Sequence, residues 1–232
     1  MVSVVWSQPF TPNYDESLVP DYKLPDPLIS QSGQPIVDRE TWEKYRRGEI
    51  LDLFSSEIFG LSPQPIPVGT QVVSVVGDAL SGTAVRREID LILERNGKSL
   101  TLSMLIYTPQ GRTDVPIFLG LNFQGNHSVE TDDRIRLPTS WMRQRDDGTT
   151  ENNRATELGR GTAKEGWPAE RIVHRGYGLA TIYYGDIDPD FDDGFQNGIH
   201  PLFEDWSATV PEGQDCFVGW CPGRSIQTGH QQ

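Results

Sequence analysis

Two short, unbroken apolar runs constrain this chain more than anything else in it. Val115 to Asn122 (VPIFLGLN) and Leu179 to Tyr184 (LATIYY) are each too short for a buried helix, and neither alternates with polar residues. Such runs mark strands covered on both faces, where neither side of the strand meets water. Strands of that kind belong to sheets flanked by helices, so the runs point to an α/β fold. Ahead of them the pattern changes. Gln71 to Val76, Ala84 to Glu94 and Ser99 to Tyr107 alternate or run apolar, and Asn96-Gly97 between the last two is the dipeptide of a tight hairpin turn. A hairpin leading into buried strands predicts a mixed sheet, antiparallel at its start.

The flanks of this sheet read differently. Pro9, Pro12, Pro20, Pro25, Pro27 and Pro35 break any regular element before residue 38, so residues 1–38 are expected as an extended arm. Asp38 is placed to cap a helix in which Trp42, Tyr45, Arg46, Ile50, Leu53, Phe54 and Ile58 recur at helical spacing, with Gly60 ending it. Pro63 to Gly69 reads as a linker. Trp141 to Trp167 is polar, carries interleaved Arg and acidic residues, and is too long for an ordinary connection, which predicts an insertion or flexible loop. Pro168 to Arg175 is a short helix begun by proline, leading through Gly176-Tyr177-Gly178 into the second buried run. Residues 39–203 are thus the expected domain, and 204–232 an atypical tail holding both cysteines, Cys216 and Cys221.

Composition removes several function classes. With 33 acidic against 20 basic residues the formal charge is −13, and a surface that negative repels phosphate backbones, so no nucleic-acid partner is expected. No apolar run is long enough for a membrane span. Two cysteines make neither a disulfide scaffold nor a zinc module. The visible start, Met1-Val2-Ser3-Val4-Val5-Trp6, has no basic stretch, apolar core or cleavage site, and taken alone it predicts a cytoplasmic protein.

Chemistry-bearing residues gather after the two buried runs. Asn122, Gln124, Gly125, Asn126 and His127 follow the carboxyl end of the first, the place where open α/β sheets hold ligands, and their amides could face a developing oxyanion. The alternative is that Asn122 and Asn126 satisfy turn backbone and His127 caps a loop. After the second run, Asp186, Asp188, Asp190, Asp192 and Asp193 alternate closely. A calcium loop counted from Asp188 would need Gly at its sixth place and Glu at its twelfth, where Asp193 and Ile199 stand. The acidic loop is therefore expected to cap backbone and meet arginines, with no metal, and Asp186 to face a cleft. His174 and His200 have no neighbours at ligand spacing. Trp141, Trp167, Tyr183 and Tyr184 could stack on sugars or belong to the core. Gly223-Arg224-Ser225-Ile226-Gln227 comes nearest to a nucleophile elbow, but it lacks the last glycine, and only His230 follows, with no acid.

Several blocks, in order, resemble the amino-terminal half of the bacterial glucuronoyl esterases. They are Tyr14-Asp15-Glu16-Ser17, Leu24 to Leu28, WEKYRRGEILDLFSSEIFG (42–60), PIFLGLNFQGNH (116–127), Trp167 to Ile172, and RGYGLATIYYGDIDPDFDDGFQNGIHPLF (175–203). The resemblance implies an α/β-hydrolase-type mixed sheet, truncated here before the nucleophile elbow. It also implies a serine carboxylic ester hydrolase without cofactor or metal, acting on glucuronoyl esters of xylan. Export to the periplasm or medium is a further implication. The family's G-x-S-R-x-G elbow, acid and histidine would all fall beyond Phe203, so no catalytic residue carries over, and a frameshifted tail and an inactive product are expected. Asn122, Asn126 and His127, at the mouth of the family's cleft, remain the candidate substrate-binding residues, with Asp186. A non-catalytic carbohydrate-binding fragment and an acetyl-type esterase are the alternatives. Stopping the sheet after LATIYY is expected to leave that strand as an exposed edge.

Overall fold

The structure, a computed structural model, describes residues 13–59, 65–112, 114–194 and 196–203. The tail residues singled out above, Cys216, Cys221, Ser225 and His230, lie outside them. The chain divides into two compact units, Met1–Glu57 and Ile58–Gln232. The arm and most of the helix after Asp38 therefore share the first unit.

In that first unit Asp38 caps as expected: its Oδ1 accepts from the Thr41 N–H at 2.7 Å, satisfying one of the free donors at the helix start. Helical turns then run continuously through Arg39–Thr41, Trp42–Arg46, Arg47–Phe54 and Ser55–Phe59, the second and fourth being of the wider π type. The extended arm is tied down by a side chain as well as by the burial of Ile36. Arg46 is buried, donates to the Pro27 carbonyl at 2.9 Å and pairs with Glu49 at 2.9 Å, while Glu49 also accepts from the Gln31 N–H. Tyr45, Leu51, Leu53 and Ile58 stay about half exposed.

The second unit is built on a five-stranded sheet. Its strands are β1 (Val68–Asp78), β2 (Ala84–Arg95), β3 (Lys98–Pro109), β4 (Ile117–Asn122) and β7 (Gly178–Tyr183), in the order β1-β2-β3-β7-β4. A two-residue ladder, β5 (Thr150–Glu151) with β6 (Arg154–Ala155), stands apart from it. The first three strands and β7 pair antiparallel, and β4 pairs parallel to β7. Asn96 and Gly97 both take positive φ, 54° and 72°, which is what a two-residue turn matching the sheet's twist requires. β1 starts at Val68, inside the expected linker, because Val68 and Gly69 pair with Leu93 and Ile92 and prolong the meander.

The expectation about the exposed strand is corrected. β7, the LATIYY run, is buried along its whole length, because the chain crosses over to insert it between β3 and β4. β4, expected to be covered on both faces, is instead the terminal strand. Its residues from Ile117 to Leu121 are exposed except half-buried Gly120, with Leu119 65% exposed. The core sits on the two faces of the inner strands. One cluster joins Leu105, Tyr107 and Leu179 to Val129, Ile135, Ala169 and Val173 from the loop and helix above. The other joins Leu93, Leu102 and Ile182 to Leu202.

The long connection from β4 to β7 is not a loose loop. Asn152 and Asn153 turn with positive φ between β5 and β6, and Met142, Gln144, Asn153 and Thr156 bond back along it. The helix Ala169–His174 follows, with Pro168 at its cap rather than inside its first turn. It ends at Gly176, whose φ of +84° lets the Gly176 and Tyr177 N–H groups close on Val173 and Ile172.

Candidate functional site

β4 and β7 run in the same direction and end level with each other, Asn122 beside Tyr183. That shared carboxyl end is where helical and loop segments leave the sheet, and the sequence's candidate residues collect there. Asn122 is 1% exposed; its Nδ2 donates to Asn126 Oδ1 at 2.8 Å and to Thr181 Oγ1 at 3.0 Å. Asn126 Nδ2 donates to the Ser103 carbonyl at 2.7 Å. The Ser103 N–H in turn donates to Asp186 Oδ2 at 3.3 Å, and the Ser140 hydroxyl donates to Asp186 Oδ1. Three of the four candidates therefore form one chain of hydrogen bonds, Asn122–Asn126–Ser103–Asp186, linking β4, the loop after it, β3 and the turn after β7.

Both N–H groups of the Asn122 amide are engaged within the protein, and Asn126 gives one of its two to a strand carbonyl, so these bonds brace the loop. What remains is one buried acceptor, Asn122 Oδ1, with no partner among the described residues. Asp186 sits in the single helical turn Tyr184–Ile187 and, with Asn126, Ser103, Arg136 and Tyr183, lines a small cavity of about 70 Å³. Burial raises its pKa above the ordinary carboxylate value, and the hydrogen bonds from Ser140 and Ser103 oppose that.

His127 stands apart from this chain. It is 1% exposed, and neither ring nitrogen has a partner among the described residues. The ring lies between two glycines: a Cβ on Gly125 would sit 2.8 Å from Nδ1, and one on Gly159 2.5 Å from Nε2. Burial first, and then the Arg160 cation, push its pKa down to about 4, so the imidazole is neutral at pH 7. It lines a second cavity of about 230 Å³ with Gln124, Met142, Arg145, Asp147 and Thr149.

An ion-pair ladder beneath the site was not read from the sequence. Arg86, Glu88 and Asp90 alternate along one face of β2, and Asp132, Arg134 and Arg136 alternate in the loop above it. Arg86 pairs with Asp132 at 3.1 Å, Arg136 with Asp90 at 2.6 Å and with Glu88 at 3.6 Å, and Arg134 with Asp78 at 3.1 Å. Arg136 also reaches the Ser103 hydroxyl at 3.3 Å, which ties the ladder to the chain of hydrogen bonds. The signal was available as two charged runs of period two with complementary signs, 86-88-90 and 132-134-136.

In the acidic loop the expected backbone caps and an arginine contact form. Asp192 and Asp193 accept from the Gly194 and Gln196 N–H groups, Asp190 pairs with Arg143 at 2.8 Å, and Asp188 lies 3.7 Å from buried His200. Among the described residues no group of three or more His, Cys, Asp or Glu is arranged to hold a metal. The four aromatic residues are drawn into packing. Trp141 tilts on Phe191, Tyr184 on Phe123, Trp167 lies against Gly120, and buried Tyr183 donates to the Trp141 carbonyl.

A mixed sheet with candidate residues at the carboxyl end of its parallel strands defines an α/β-hydrolase type of protein, and the comparisons make this specific. The chain is 38% identical over 228 residues to carbohydrate esterase MZ0003 of an unknown prokaryotic organism, an alignment covering 95% of this chain and 52% of that protein. It matches a promiscuous CE15 esterase from a marine bacterial metagenome with a TM-score of 0.71 at 39% identity, over 87% of this chain and 51% of the other. It matches a glucuronoyl esterase from Solibacter usitatus with a TM-score of 0.73 at 37% identity, over 85% and 50%. In sequence and in structure alike, the chain is similar to about half of each of these esterases. No family model matches it. The chain spans about half the length of the relatives it matches. Coverage of 95% leaves only about a dozen of the 232 residues unaligned, so the likeness to the carbohydrate esterase extends past Phe203 into the tail.

Proposed function

We propose that this chain supplies the opening half of the sheet, and one wall of the cleft, of a serine esterase acting on glucuronoyl esters of xylan-type carbohydrate. The observation that carries the reading is the braced loop Asn122 to His127 at the carboxyl ends of two parallel strands, in a chain 37% identical to a glucuronoyl esterase and 39% identical to a promiscuous CE15 esterase. In such chemistry a serine attacks the ester carbonyl, a histidine takes its proton, and water later frees the uronic acid. Among the described residues no side chain bonds to His127, while His200 lies 3.7 Å from Asp188. Their contribution is positional: the Asn122–Asn126–Ser103–Asp186 chain holds the loop and keeps the strand ends in register.

The test is a chimera that continues this chain with the unmatched half of the Solibacter usitatus enzyme, assayed on a benzyl ester of glucuronic acid. Hydrolysis is expected from the chimera and not from the 232-residue chain alone. Turnover by the chain alone, or a chimera that cleaves acetyl esters of xylan but not glucuronate esters, overturns the reading.

A second reading, a sugar-binding role without catalysis, draws on the polar cavity shared by Gln124, His127, Arg145 and Asp147. Saturable quenching of tryptophan fluorescence by xylan oligosaccharides is its expected signature, and a flat titration removes it.

A further inference from the structure

The cavity that His127 lines differs from two other recesses of the second unit in what it leaves unspent. In a larger one, of about 730 Å³, the cations Arg134 and Lys164 are both held by its own carboxylates, Asp78, Asp132 and Glu130. In the recess of about 70 Å³, Asp186 is bonded to Ser140 and Arg136 is paired with Asp90. The His127 cavity, of about 230 Å³, has at its buried end two imidazole nitrogens bonded to no described residue. Buried polar atoms that bond to nothing in the protein are rare, and each needs a partner from elsewhere. At the exposed end the Arg145 guanidinium touches no described carboxylate. Gln124 meets Thr162 only through Oε1, at 3.5 Å, which leaves its two N–H donors unspent. Asp147 takes the Thr149 N–H and hydroxyl on Oδ1, at 3.0 and 2.6 Å, and keeps Oδ2.

These groups select the kind of partner. Arg145 and Asp147 offset each other, each feeling the other's charge, and the imidazole between them and the core is neutral at pH 7, so the cavity favours an uncharged ligand over an ion. Gly159 lines the cavity and stands against Nε2, where the missing Cβ leaves that nitrogen open. A hydroxyl both donates and accepts, so it satisfies Nε2 in either tautomer, which an ammonium or a carboxylate cannot do. Met142 is the one large apolar side chain in the lining and no aromatic ring joins it, so a ligand here is held at its edges rather than stacked. The volume is below the about 300–1,000 Å³ of sites for larger organic ligands and suits a single ring. We propose that this cavity is a subsite for one uncharged sugar residue, held edge-on through its hydroxyls by His127, Gln124, Arg145 and Asp147. This rests on the carbohydrate reading given above and names the part of such a ligand that this chain holds. The cavity shares the loop Asn122 to His127 with the strand ends, so its occupant is a neutral unit beside the uronic acid and not the uronic acid itself.

The experiment titrates the 232-residue chain with methyl β-xylopyranoside, with glucuronate and with glycerol, and follows the His127 ring signals by NMR. A saturable shift is expected with the xyloside, with at least about tenfold weaker responses to glucuronate and to glycerol. Arg145→Leu and Gln124→Ala, both at the exposed end, are each expected to weaken xyloside binding at least about threefold. Arg143→Leu removes the same charge two residues away, but that guanidinium is held by Asp190, so binding is expected to stay unchanged. Tighter binding of glucuronate marks an anion site and overturns the inference, and an equal response to glycerol marks a pocket for any small polyol and does the same. Equal losses in Arg143→Leu and Arg145→Leu also overturn it, because they reduce the effect to net charge. The same titration on the chimera gives a second measurement, and a silent His127 ring in both proteins ends the proposal. Its failure is separable from that of the esterase reading: a chimera that hydrolyses glucuronate esters without binding the xyloside sinks the subsite alone, and one that binds the xyloside without hydrolysis sinks the esterase alone.

Discussion

Acidification separates the native and unfolded forms of this chain at His127. In the unfolded chain the imidazole titrates at its ordinary value of 6.5, whereas in the native protein burial and Arg160 hold it down at about 4. The native form therefore binds fewer protons over this interval, and stability falls as pH falls from 6.5 towards 4. A difference of about 2.5 pKa units corresponds to about 3 kcal/mol once both forms are protonated, and to about 2 kcal/mol at about pH 4.5. Asp186 works against this, because its carboxyl is raised by burial and gains stability on acidification. The clean observable is therefore a difference between proteins. Urea unfolding of the parent and of His127→Gln is measured at about pH 7 and about pH 4.5, and the parent is expected to lose about 2 kcal/mol more than the variant. His127 lies between two glycines with neither nitrogen bonded to a described residue, and the Glu157 carboxylate opposes the downward push of burial and Arg160 without cancelling it. Equal losses in the two proteins would falsify the burial argument, because they would mean that the native imidazole takes up its proton as readily as the unfolded one.

Two further substitutions test the frame of the site. Gly159→Ala places a Cβ 2.5 Å from His127 Nε2 and is expected to cost about 1–3 kcal/mol in urea unfolding, whereas Gly166→Ala, whose Cβ meets only an ordinary contact at 3.5 Å, stays near neutral; equal effects would remove the close packing around the histidine. Arg86→Met takes a fully buried guanidinium from Asp132 and from the Arg134 carbonyl and is expected to cost about 3 kcal/mol; the double variant with Asp132→Leu should recover part of that, and strict additivity would show that the two do not act as a pair.

Local pattern was enough for the elements themselves. The β2–β3 hairpin and its Asn96-Gly97 turn, the Asp38 cap, the stop at Gly176 and the strand character of both apolar runs follow from residue types a few positions apart, which is the range over which turn and capping chemistry acts. The Asp192 and Asp193 caps are legible for the same reason. Three of the candidate residues, Asn122, Asn126 and Asp186, could be named because each stands at or just past a strand's carboxyl end.

Strand order could not be read that way. Two runs of nearly equal hydrophobicity had to be ranked as inner and outer. The ranking depends on the crossover that carries β7 over β4 to pair with β3, and nothing within either run encodes it. The same holds for the site. Asn122 and Ser103 belong to strands that do not touch each other in the sheet, and the side chains of Asn126 and Asp186 join them only after folding. The ladder between 86-88-90 and 132-134-136 likewise required the loop to be laid over β2. Sequence determined which residues seek water, turn or pair locally. Tertiary structure decided which amides are already spent on the protein, which histidine is sealed away from protons, and which apolar strand is left with an open edge, because each of those depends on partners far away along the chain.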